Sequence, residues 1–249
     1  MAVHVDEIAP DLFRLSLYIP QANLQFNQFL LRDEEPLLYH TGLRRIFPQV
    51  RDAVARLLDP ATIRWIGFSH FEADECGSLN EWLAAAPNAE PVCGTVGAIV
   101  NINDVSDRRA RILEKDDVLA TGKHRFRFIS TPQVPHGWDA GHLFEVTGAA
   151  LLCSDLFLQC GNVEPITGSS LLDRSRRALL EYQAGSLAQS VAWSPLLGPA
   201  LEELASLKPQ LLAVMHGSSY AGDGGRALLE LKEVFREILL GEKPRDTGY

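Results

Sequence analysis

The chain has 249 residues, 46% hydrophobic and 22% charged, with a formal net charge of −9, a composition able to bury a large core and suited to one domain spanning 1–249. The acidic balance argues against a nucleic-acid surface, which needs clustered Lys and Arg; the one basic cluster, Arg108, Arg109 and Arg111, is offset by Asp104 and Asp107. No stretch reaches the roughly 18 apolar residues of a membrane-spanning helix, since the most apolar run, Gly148 to Leu158, is broken by Asp155. Met1 to Pro10 lacks the apolar segment of a secretory signal, and Cys76, Cys93, Cys153 and Cys160 form neither a disulfide framework nor a CxxC pair. Reduced thiols, a cytoplasmic location and no membrane partner are the expectation.

Along the chain, Leu12 to Ile19, Gln25 to Arg32 and Pro36 to Thr41 read as consecutive antiparallel strands separated by Pro20 and the acidic turn Asp33 to Glu35. From Ile46 the period changes. Ile46, Phe47, Val50, Val54, Leu57 and Leu58 recur at three- and four-residue steps, one apolar stripe of a helix that Asp59-Pro60 ends. Ile63 to Phe68 is too short for a helix and reads as a buried strand, and Ser78 to Ala86 as a helix. Strands are expected at Pro91 to Cys93, Val118 to Ala120, His124 to Ser130, His142 to Val146 and Ala149 to Cys153, the last two joined by a hairpin turn at Thr147-Gly148. The remainder is helix-patterned at Leu171 to Tyr182, Pro199 to Leu207 and Ala227 to Leu240, with a strand at Leu211 to Met215. So many turn-linked strands among amphipathic helices predict an α/β (α+β) fold with a four-layer αββα sandwich rather than a doubly wound sheet. Gly94-Thr95-Val96-Gly97 also lacks the third glycine of a dinucleotide fingerprint.

Three apolar strand-like runs end in ligand-type residues: Phe68-Ser69-His70, Leu152-Cys153-Ser154-Asp155 and Val214-Met215-His216. After the first, His70, Glu72, Asp74 and Glu75 fall within six positions. On a helix 70 and 74 would share a face while 72 pointed away, so an extended loop is expected if all three reach a metal. Taken singly, a His-x-Glu-x-Asp string is ordinary surface chemistry, and His136 and His216 are equally consistent with core or loop histidines. His4, His40, His124 and His142 are read first as such. The recurrence of ligands at separate strand ends favours a metal site.

The set resembles the diiron domain of the flavodiiron proteins. His-x-Glu-x-Asp is followed by His136, then eighteen residues to Asp155 and sixty more to His216, and Leu152 to Phe157 and Arg176 to Tyr182 resemble the family's segments after its bridging aspartate. The likeness covers nearly the whole chain and implies the metallo-β-lactamase fold. It further implies His70, Glu72 and His136 on one iron, Asp74 and His216 on the other, and Asp155 between them, with the irons joined through an oxo or hydroxo bridge. Hydrolases of this fold use a nitrogen-rich His-x-His-x-Asp-His set and zinc. Glu72 in place of the second histidine and Glu75 in place of the last shift the donors toward oxygen, which favours iron or manganese.

The resemblance implies binding or reduction of O₂ or NO, as a sensor or as a reductase. No flavodoxin domain follows before Tyr249, so any FMN is expected from a partner, a flavoprotein or rubredoxin-type donor, and the family implies a homodimer. The competing expectation is a dinuclear zinc hydrolase of a lactone, thioester or phosphoester. Glu75 stands where the family usually has histidine and is a possible further ligand or the mark of an open position. His40 stands where the fold usually has aspartate. Trp138, Asp139 and His142 are pocket candidates, Cys76 a packed thiol, and Tyr182 a core or interface residue.

Overall fold

The computed structural model describes residues 2–241. Seven strands lie side by side in sequence order: β1 (His4–Ala9), β2 (Leu12–Ile19), β3 (Leu24–Leu31), β4 (Leu37–Tyr39), β5 (Trp65–Gly67), β6 (Glu90–Gly94) and β7 (Arg111–Leu113). The first four pair antiparallel through short turns. From β4 onward the pairing is parallel, because the longer connections have room for crossover helices such as Phe47–Val54 and Leu79–Ala85. A second seven-stranded sheet holds β8 (Val118–Ala120), β9 (Arg125–Ser130), β10 (Gly141–Glu145), β11 (Ala150–Leu152), β12 (Ile166–Thr167), β13 (Leu211–Ala213) and β14 (Ser219–Ala221) in the order β12-β14-β13-β11-β10-β9-β8.

Three cores show the layering. Phe29, Leu31, Tyr39, Trp65, Phe126, Leu143, Leu152 and Ala213 fill the space between the sheets. Val50, Val54, Trp82 and Leu83 pack on the outer face of the first sheet beside Leu30, Leu38 and Ile66. Leu179, Leu201, Leu204, Leu228 and Leu231 cover the outer face of the second beside Ile129, Phe144 and Leu212. The result is the four-layer αββα sandwich. β3 shows how register sets it: Leu24, Phe26 and Leu30 face the helices while Phe29 and Leu31 face the other sheet, so a one-residue slip would exchange the two sets. The last helix, Gly224–Leu240, opens on Asp223, whose carboxylate accepts from the Arg226 amide at 2.9 Å, and closes on Gly241 at φ +67°, the left-handed conformation that stops a helix.

Several elements are shorter than the apolar runs suggest. β4 stops at Tyr39 because His40 takes φ +64° and turns the chain, and β13 stops at Ala213, leaving Val214 to His216 beyond the ladder. β1, β7, β12 and β14 were not expected. The segment after β5 bends over 69–71, Glu72 is extended (φ −135°, ψ 160°), and Ala73–Cys76 then forms a single helical turn, so the extended loop expected over 70–75 is replaced by a bend and a turn.

Candidate metal centre

The four loops that carry candidate ligands leave the same end of the sandwich. β9, β11 and β13 run in one direction, since β10 pairs antiparallel with both β9 and β11 and β11 pairs parallel with β13. His136, Asp155 and His216 follow these three strands, and His70 follows β5 of the first sheet. The first sheet anchors the last loop, which leaves the second. Asn27 of β3 donates from Nδ2 to the carbonyls of Val214 (2.8 Å) and Gly217 (2.9 Å), and Arg14 of β2 donates to Gly217 at 3.0 Å. Gly217 takes φ +120°, and a Cβ there would lie 2.7 Å from Gln159, so this turn beside His216 needs glycine.

Six side chains meet at this end. His136 Nε2 lies 3.2 Å from Glu72 Oε1 and 3.3 Å from Asp155 Oδ2, and His70 Nε2 lies 3.6 Å from the same Asp155 oxygen. His216 Nε2 lies 3.3 Å from Asp74 Oδ2 and 3.2 Å from Asp155 Oδ1. Asp155 thus turns one oxygen toward His70 and His136 and the other toward His216. Ligand atoms of His70, Glu72, His136 and Asp155 all fall within 4.8 Å of one another. Yet His70 Nε2, His136 Nε2 and Asp155 Oδ1 are buried without a hydrogen-bond partner: the atoms converge on a shared point rather than on each other. A buried polar group is normally paired, so this set fits cations held between them. Three imidazoles and three carboxylates are donors that suit iron.

The electrostatics agree. Burial opposes ionisation of Asp155, but His216, His70 and His136 hold its carboxyl well below the ordinary range. Glu72 is lowered to about 2, chiefly by the adjacent imidazoles of His136 and His70. Burial disfavours the His216 imidazolium, and Asp155 and Asp74 outweigh it and raise the group well above its usual value. Without a cation, protons serve as the counter-charges of this anionic cluster.

The far sides of His216 and His70 are also held, whereas Nδ1 of His136 is buried without a hydrogen-bond partner. His216 Nδ1 donates to the Gln25 carbonyl at 2.8 Å, leaving Nε2 for the cluster. Behind His70 lies Glu75, whose carboxylate accepts from the amides of Ser69 (3.0 Å) and His70 (2.8 Å) and from the hydroxyls of Ser69 (2.5 Å) and Ser154 (3.0 Å). Its Oε1 lies 3.3 Å from His70 Nδ1 and 3.6 Å from His40 Nε2. Glu75 is turned away from the six-residue cluster and backs His70, an arrangement that fixes an imidazole's orientation and basicity. His40 is fully buried and lowered to about 3, by burial first; it sits behind the ligands. This support of His70 by Glu75 was not foreseen.

The remaining candidates lie elsewhere. Trp138 is 57% exposed and borders a separate, smaller cavity with Thr95 and Glu114. His142 is buried on β10, its Nδ1 2.8 Å from the Thr131 hydroxyl and its pKa lowered to about 4 by burial, and it does not line the cavity over the cluster. Asp139 accepts from the Phe71 amide at 3.1 Å and so steadies the loop after His70. Cys76 is a buried thiol whose Sγ donates to the Glu72 carbonyl at 3.1 Å, and His124 pairs with Glu145 at 3.2 Å. Over the ligands opens a cavity of about 370 Å³, lined by Glu72, Asp74, His136, Asp155 and His216 and by a mostly apolar remainder that includes Tyr182, Ser175 and Ser190.

Two seven-stranded sheets between helical layers, with a carboxylate-rich histidine cluster at one end, define a metallo-β-lactamase fold of the flavodiiron type. Residues 24–217 match the family described as ODP family beta lactamase, and the chain belongs to that family. It is 22% identical over 219 residues to a flavo-diiron protein of Clostridium acetobutylicum, covering 86% of this chain and 53% of that one. Against the anaerobic nitric oxide reductase flavorubredoxin of Salmonella arizonae the figures are 26% over 204 residues, 77% and 40%. The chain therefore spans about half the length of the curated relatives it matches. Among solved structures, rubredoxin oxygen:oxidoreductase from Desulfovibrio gigas superposes with a TM-score of 0.79 at 19% identity, covering 92% of this chain and 62% of that one. A 1–254 fragment of a putative diflavin flavoprotein from Nostoc gives 0.75 at 16%, covering 93% and 95%.

Proposed function

We propose that this chain is a diiron domain that binds or reduces O₂ or NO, with His70, Glu72 and His136 holding one iron, Asp74 and His216 the other, and Asp155 both. The observation that carries the reading is the division of Asp155, one oxygen 3.3 Å from His136 and the other 3.2 Å from His216. Relatives named for oxygen and nitric oxide reduction support the choice of ligand.

Bound iron supplies the electrons that a diatomic molecule takes up. The chain's own residues do the rest. Asp74 and Asp155 offset cationic charge in a poorly hydrated setting, where an isolated charge would be costly, and Glu72 adds a third carboxylate from the exposed rim. The Gln25 carbonyl and Glu75 keep Nε2 of His216 and His70 directed inward. The apolar walls exclude water while admitting a neutral diatomic. Electrons come, in this reading, from a separate flavoprotein or rubredoxin-type donor, with FMN carried by that partner. The setting is cytoplasmic and the chain pairs as a homodimer. Among the described residues no helix is long and apolar enough to cross a membrane.

The test is optical. Protein loaded with iron, reduced anaerobically and mixed with O₂ or NO should develop a new absorption band in step with uptake of the gas. Iron-loaded protein whose spectrum is indifferent to both gases contradicts the proposal, as does protein that holds only zinc and turns over esters.

A further inference from the structure

Six of the fourteen large apolar side chains exposed among the described residues gather on one surface beside the ligand loops: Phe71, Val96, Ile99, Val100, Val105 and Trp138. The helical stretch 95–105 carries four of them. Gly97, Ala98 and Ile102 face inward, which leaves Val96, Ile99 and Val100 to solvent, and Ile99 is 66% exposed. Phe71 and Trp138 adjoin the stretch. Asp139 Oδ2 accepts from the Phe71 amide at 3.1 Å and from the Asn101 side chain at 3.5 Å. Val96 and Trp138 border one hollow, and Phe71 and Val105 border another, so the patch is continuous across the helical stretch. No charged residue falls between Pro91 and Asn103, in a chain that is 22% charged. Contiguous apolar surface of this kind marks a protein contact.

The charges at one end of the patch select the partner. After the stretch the chain folds back, and the Ala110 amide donates to Asn103 Oδ1 at 3.0 Å, which brings Asp104 and Asp107 beside Arg109. All three are exposed, and none forms an ion pair among the described residues. Arg108, by contrast, donates inward to the carbonyls of Leu83, Ala86 and Ala89. A contact with a strongly acidic or basic partner calls for one sign of charge. A contact between two copies about a two-fold axis calls for both signs on the same patch, because each copy presents its own base to the other's acid. This patch carries both.

We infer that two copies of this chain pair through this face about a two-fold axis, with Ile99 and Val100 at its centre and Arg109 of each copy facing the acidic pair of the other. The inference names the interface of the homodimer proposed above and rests on that pairing, but on no metal.

Sedimentation velocity on the full chain tests it, with iron counted separately on the same sample. The wild-type protein should sediment at micromolar concentration as a dimer of 27.5 kDa chains. Ile99→Asp/Val100→Asp, at two exposed positions, should weaken pairing at least about tenfold. Leu229→Asp, exposed on the helix that covers the second sheet, should not. Charge supplies the second arm. Arg109→Asp leaves only acids at the end of the patch, and Asp104→Arg/Asp107→Arg leaves only bases, so each alone should pair at least about tenfold more weakly than wild type. An equal mixture of the two should recover a heterodimer, in which acid meets base on both sides. A dimer that survives Ile99→Asp/Val100→Asp, or a mixture no better paired than its components, overturns the inference and leaves the homodimer standing. A monomeric wild-type protein overturns both, and the iron count judges the diiron reading separately.

Discussion

Two clusters of carboxylates and imidazoles lie back to back across His70, and they are built on opposite rules. On the cavity side, buried ligand atoms of His70, His136 and Asp155 have no hydrogen-bond partner although they crowd within a few ångströms. On the inner side, Glu75 accepts from two amides and two hydroxyls. Residue type does not distinguish them, because both contain histidine and glutamate. Pairing does: one cluster keeps lone pairs available for a cation, and the other uses its own to hold a ligand histidine still.

That contrast can be broken from either side. The largest effect is expected from Asp155→Ala, which should lose both metals together, with metal content falling from about two per chain to near none; retention of two by elemental analysis would show that Asp155 is not shared. Glu75→Ala leaves the Ser69 and His70 amides buried and unpaired, and should cost about 3–5 kcal/mol in urea unfolding. Glu75→Gln should cost less and keep the metals. If Glu75→Ala unfolds like wild type but loses a metal, Glu75 is a ligand and the contrast is wrong.

Acid gives a smaller and graded effect. Glu72 is depressed from 4.5 to about 2 in the metal-free cluster, so its stabilising contribution is present above about 4.5 and is lost as pH falls toward 2. Metal-free protein should lose stability over that interval when followed by circular dichroism, and Glu72→Gln should flatten the loss; an unchanged slope in the variant would separate Glu72 from the cluster. His4→Ala, at an exposed position on the first strand, should alter stability by no more than about 0.5 kcal/mol and leave metal content intact. A larger change would mean that histidines outside the two clusters matter.

Much of this arrangement was legible in the chain. The strand-end positions of His70, Asp155 and His216 follow from apolar runs, and those runs end where the ladders or the first residues beyond them do. The direction of Glu75 was not legible. It adjoins Asp74, and only the helical turn Ala73–Cys76 points one toward the cavity and the other toward Ser69. Strands such as Arg111–Leu113, with two of three residues exposed, carry too little apolar pattern to be seen. The cavity over the ligands was hidden for a related reason. Periodicity shows that Leu179 and Tyr182, or Leu231 and Phe235, share a covered face, but close packing and an enclosed void give the same pattern. Trp138 drew attention by its closeness in sequence to His136, and the turn between them carries it out to solvent.

The account rests on one carboxylate reaching two cations, and counting metal tests this most directly. Protein produced with ample iron and analysed by inductively coupled plasma mass spectrometry should hold about two irons per chain. A single metal per chain, or two zinc ions that iron does not displace during production, would contradict it.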